Sequence, residues 1–167
     1  MPAPAFPNFI VTEDSFDAEK QAGHVFCTDC YSDTVANNGF VTMAMQTNST
    51  ENLLVALRAR VGAQSIFKIT EACSLNTAGA NANLFNYNRN HSHISVVTCT
   101  LGNSITGGTV LQTELLGETV KGKNTDGGRG SLEFIFKPNE TYVITLQNIS
   151  GGATNFFMGC DIVDRQL

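Results

Sequence analysis

The chain has 167 residues, a formal net charge of −5 and 42 % hydrophobic residues; that is one domain's length, with enough apolar material to close a core without disulfides or metals. Its 10 Lys and Arg are scattered singly among 15 Asp and Glu, so the long-range field repels phosphate and nucleic acid is excluded as an expected partner. No basic start leads into an apolar run, so neither a signal peptide nor a membrane partner is expected, and synthesis is assigned to the cytoplasm.

Residues 1–23 form the first compositional unit. The segment Met1-Pro2-Ala3-Pro4-Ala5-Phe6-Pro7 carries three of the four prolines, which fix φ and remove backbone donors, so an extended N-terminal arm is expected. Phe6, Phe9 and Ile10 give that arm side chains to bury against another surface, and Glu13-Asp14 through Asp17 add an acidic stretch. From residue 24 to 167 strand-like runs rich in β-branched and aromatic residues alternate with turn clusters. The runs are 25–31, 40–47, 53–61, 65–70, 94–100, 109–115, 132–137, 142–148 and 156–163.

Between them stand Asn37-Asn38-Gly39, residues 79–83, Gly107-Gly108, residues 121–130, Pro138-Asn139 and Ser150-Gly151-Gly152, which supply the φ values that turns demand. Residues 49–60 carry a possible helix cap at Ser49. The alternation of Leu53, Val55, Leu57 and Ala59 against Leu54, Ala56, Arg58 and Arg60 favours a strand instead. Turn signals at near-regular intervals with no long amphipathic helix predict an all-β protein, an antiparallel β-sandwich of jelly-roll-like topology. Within it, Phe134, Tyr142 and Ile144 are expected to face the core.

Chemistry-bearing groups are few. Cys27-x-x-Cys30 beside His24 has half the spacing of a zinc site, but Cys73, Cys99 and Cys160 stand alone, so two reduced thiols on opposite faces of one strand is the preferred reading. His91-x-His93 places two imidazoles on one face of a strand, as a cupin-like metal enzyme would need, yet no carboxylate follows closely and Glu114 is remote. Asp29, Glu71, Glu114 and Glu133 could supply a carboxylate pair for glycoside hydrolysis, but the chain has no Trp and only three Tyr to grip a sugar. Gly127-Gly128-Arg129-Gly130 lies between strands with no helix to receive a phosphate. No catalytic residue, cofactor or metal is therefore assigned, and the protein is expected not to be an enzyme. Arg89, among Asn86, Asn88 and Asn90, is expected to structure its loop together with Asn88, its guanidinium pinning loop carbonyls.

Three segments together carry a resemblance. They are Asn38-Gly39-Phe40 opening a strand, Asn86-Tyr87-Asn88-Arg89-Asn90 in mid-chain, and Glu133-Phe134-Ile135-Phe136-Lys137-Pro138-Asn139-Glu140-Thr141-Tyr142-Val143-Ile144 followed by Asn148-Ile149-Ser150-Gly151. Over residues 24–164 the chain resembles the capsid decoration, or cement, proteins of tailed bacteriophages. Asn86, Asn88 and Arg89 keep part of the family's Asn-x-Asn-Arg pattern, and its Leu-Lys-Pro-Asn-x-x-Tyr pattern appears here as residues 136–142, with Phe136 in the place of Leu. The proline-phenylalanine arm and the Cys-x-x-Cys depart from it. The resemblance implies a virion structural protein that binds the outer surface of an icosahedral capsid. Its implied partner is the major capsid protein, and it would act as a homo-oligomer, a trimer rather than a dimer. On this reading Phe6, Phe9 and Ile10 are capsid or subunit contacts. The alternatives are a glycan- or receptor-binding head-fibre or adhesin module using the loop 81–90, and the cupin-like enzyme built on His91 and His93.

Overall fold

The computed structural model describes residues 13–117 and 132–165. Among the described residues one helix, α1 (Glu13–Gln21), precedes thirteen strands. These are β1 (Val25–Val35), β2 (Phe40–Thr47), β3 (Leu53–Val61), β4 (Ser65–Glu71), β5 (Ser74–Leu75), β6 (Ala80–Ala82), β7 (Phe85–Asn86), β8 (Val97–Leu101), β9 (Ile105–Thr106), β10 (Thr109–Leu116), β11 (Leu132–Phe136), β12 (Thr141–Asn148) and β13 (Thr154–Val163). They build a five-stranded sheet ordered β11-β3-β13-β1-β7, a six-stranded sheet ordered β10-β4-β12-β2-β8-β6, and a small ribbon β5-β9.

The order is that of a jelly roll. Strands β1, β2, β3 and β4 alternate between the two large sheets, and β10 to β13 alternate back, so that β13 lies between β1 and β3 while β12 lies between β2 and β4. Each of these neighbours pairs antiparallel. The tight links 36–39 and 62–64 stack β1 on β2 and β3 on β4, which brings the terminal strands β10 and β11 to one flank and β6 and β7 to the other. At the first link Asn38 takes φ 62°, a left-handed conformation that Asn tolerates.

Period-two burial follows from the pleat. On β3, Leu53, Val55 and Leu57 are buried and join Met43, Met45, Phe67, Ile69, Ile144, Leu146, Phe156 and Met158 in the sandwich interior. Burying each large side chain of this kind contributes about 1.5–3 kcal/mol before ordering costs. Tyr142 and Ile144 lie in this core; Phe134 also packs on it, opposite Val55 in register, but is half-buried because β11 ends its sheet. Val143, on the other face of β12, is buried as well, since the β5-β9 ribbon lays Leu75 and Ile105 over Val143, Ala44 and Cys73. A pattern that reads as outward-facing is thus covered by a ribbon with no strong strand signal of its own.

Two expectations are corrected. Residues 13–21 are helical, not part of an extended arm: the prolines stop at Pro7, the acidic Glu13 and Asp14 occupy the first turn, and Lys20 sits in the last, which suits the helix dipole. Residues 94–96 are not strand, because Ser95 and Val96 hydrogen-bond to the Asp164 carboxylate instead of pairing with a neighbouring strand. Phe6, Phe9 and Ile10 lie outside the described residues.

Candidate functional site

Helix α1 ends in a Schellman turn. Gly23, at φ +76°, donates its N–H to Lys20 O at 3.1 Å, and His24 N–H reaches Glu19 O at 3.0 Å. The Asn-rich loop satisfies the carbonyls left over: Asn86 Nδ2 donates to Gly23 O at 2.7 Å and Asn88 Nδ2 to Gln21 O at 2.6 Å. The acceptor ends of the same amides close the loop, since Asn86 Oδ1 takes Asn88 N–H and Asn88 Oδ1 takes Asn90 N–H. Glu19 completes the dock by bridging His24 at 2.9 Å and Arg165 at 2.7 Å.

The role expected of Arg89 is thereby corrected. Its guanidinium lies over the Phe85 ring, 5.7 Å from the centroid, and Asn86 and Asn88 close the turns. Short amides reach backbone groups two residues on, whereas a long side chain leaves the loop and stacks.

Beneath the loop lies a cavity of about 520 Å³. It opens at the β6-β7 flank and is lined from both sheets, by Phe26 of β1, Asn81 of β6 and Cys99 of β8, and by the loop with Arg89, His91 and His93. His91 and His93 line it and His24, the third histidine of the chain, stands next to His93: the His24 and His93 rings lie 6.0 Å apart, those of His91 and His93 6.3 Å. His91 Nδ1 accepts the His93 N–H at 3.2 Å, so the neutral His91 ring carries its proton on Nε2. His93 Nε2 is buried and has no hydrogen-bond partner among the described residues.

The histidine pair is thus on a loop, not on one face of a strand. Glu114, its distant candidate third ligand, is on β10 at the far edge of the second sheet. Among the described residues no three His, Cys, Asp or Glu side chains are grouped to hold a metal ion.

The Cys pair divides as the pleat requires. Cys27 lies opposite Asp161 and Phe85, near Tyr87, while Cys30 packs on the core. Burial, reinforced by Asp29, pushes the Cys30 thiol up to about 11; burial and then Asp161 raise Cys27. Both shifts disfavour the thiolate that metal binding or redox exchange needs. Asp161 anchors Arg58 and the Tyr87 hydroxyl, each at 2.9 Å, and burial followed by this contact pushes Tyr87 up to about 12.

The flank at β10 and β11 is of another kind. Val110 is 51 % exposed, Leu115 61 % and Ile135 63 %, with Leu111 exposed between them at a bulge in β10. Gln112 and Glu114 face inward beside Ile69 and Phe67, and polar groups turned inward on an edge strand oppose strand addition. Comparison with protein-family models, with curated proteins and with solved structures finds no match.

Proposed function

We propose that the protein is a virion structural protein that binds the outer surface of an icosahedral phage capsid and stabilises it, as a homo-oligomer in contact with the major capsid protein. The observation that carries this reading is the apolar β10-β11 flank. Large apolar side chains left exposed on the edge strands of both sheets, Val110 and Leu115 on the outer face of one and Ile135 on the outer face of the other, mark interaction surface, and the inward Glu114 directs that interaction through side chains rather than backbone pairing. The jelly roll supplies a stiff block, and the motif resemblance supplies the partner class.

One copy would gain little, roughly 1.5–3 kcal/mol for each apolar side chain fully buried. Repetition across an oligomer on a lattice of identical sites multiplies the effect. The test is co-sedimentation of the purified protein with expanded empty capsids, together with its copy number in purified virions. Saturable binding and hundreds of copies, on the order expected for a repeated lattice site, support the reading. A few copies, or no pelleting with shells, would refute it.

A further inference from the structure

Among the described residues that line the cavity under the loop, the charged side chain is Arg89. In a chain of net charge −5, no Asp or Glu among the described residues lines it, while Arg89, His91 and His93 all do. The contact of Arg89 is the Phe85 ring, which leaves the N–H fork of its guanidinium for a planar anion. The side chains of Asn81, Asn83 and Ser92, also at the cavity, make no hydrogen bond to other described residues. His93 Nε2 is sequestered from solvent among the His24, Phe26 and His91 rings, so this ring backs the wall of the cavity and supplies no contact to a ligand. Ile94, 82 % exposed at the same wall, offers an apolar surface to a ring face. The volume of about 520 Å³ falls inside the range of small-molecule sites, roughly 300–1,000 Å³.

A planar cation, several unused neutral donors and acceptors and one apolar wall together match a polyhydroxylated molecule with a single carboxylate. We infer that this cavity binds a sugar carrying a carboxylate, free or at the end of a glycan. Arg89 takes the carboxylate in a two-pronged contact, Asn81, Asn83 and Ser92 read hydroxyls, and Ile94 covers the ring. The inference stands on the cavity alone and does not depend on capsid binding. Since β6 and β7 lie on the flank opposite β10 and β11, a copy held by its apolar flank would keep this cavity turned away from the shell.

The test is an NMR titration of the full chain with the methyl glycosides of sialic acid, glucuronic acid and glucose, and with sodium phosphate. An acidic sugar should move the backbone amides of residues 81–99 saturably, and the glucoside should bind at least about tenfold more weakly, the worth of one charge-assisted bidentate contact. Arg89→Gln, at an exposed position, should erase that preference with the rest of the spectrum unchanged. Asn83→Ala should weaken acidic and neutral sugars alike. No saturable shift with either acidic sugar, equal binding of the glucoside, or phosphate competing as well as the acidic sugars would overturn the inference.

Discussion

Asn148 shows how much one amide holds together. Fully buried at the end of β12, it donates to Val35 O at 2.8 Å and Gly152 O at 2.7 Å, and its Oδ1 accepts from Ser150 N and Oγ. It therefore ties the ends of β1 and β12 to the turn into β13. Asn148→Ala removes the donor to the buried Val35 carbonyl, while Gly152 O keeps Ser150 Oγ at 3.2 Å, and urea unfolding should show a loss of about 1–3 kcal/mol for a buried group left unsatisfied. Glu71 makes a second prediction at this scale. The Tyr142 hydroxyl, donating at 2.7 Å, and then Lys137 hold its carboxyl below the usual range. The folded value lies below the unfolded one, so the stabilisation is complete above about pH 4.3, the ordinary Glu value, and is lost as pH falls through the lowered folded value. Glu71→Gln should be less stable near neutral pH and lose less on acidification, as measured by unfolding free energy across that range. Parallel pH curves for the two proteins would show that Glu71 contributes nothing.

Among the elements, α1 depends on a single glycine. A Cβ on Gly23 would lie 2.3 Å from His91 Cγ, on a backbone already at φ +76°. Gly23→Ala should therefore release the helix from the loop, seen as faster amide exchange of residues 16–23 while the β13 amides stay protected. The β11-β12 hairpin tests the sandwich interior. Phe136 stacks on Tyr142 with centroids 3.7 Å apart and is buried, so Phe136→Ala should cost about 3–5 kcal/mol. Phe134→Ala, at a half-buried edge position, should cost distinctly less, and equal losses would contradict this order of burial.

The whole molecule has two unlike flanks, one apolar at β10 and β11 and one polar and hollow at β6 and β7. Replacing Leu115 by Glu together with Ile135 by Lys should abolish shell pelleting while thermal unfolding changes little, because both side chains are outward and exposed. Retained pelleting would move the contact elsewhere. Removing residues 1–12 should weaken shell binding or assembly with the sandwich still folded, since among the described residues the two large sheets are built from strands that begin at Val25. Undiminished binding would take Phe6, Phe9 and Ile10 out of the contact.

Local rules account for everything about this molecule that is legible along the chain. Strand runs bounded by turn residues, the alternation on β3, the inward Tyr142 and Ile144 and the opposite faces of Cys27 and Cys30 all follow from a side-chain period of two and from the φ demands of turns. Even the acidic start and basic end of α1 are readable, though the prolines before it mask them. The remainder depends on pairings distant in sequence. The ribbon that buries Val143, the Asn86 and Asn88 amides capping a helix more than sixty residues earlier, and the approach of His24 to His93 and His91 have no local periodicity. They arise only when the jelly roll stacks β1 on β2 and brings the loop between β7 and β8 against α1, where carbonyls at a helix end need donors and the asparagines supply them.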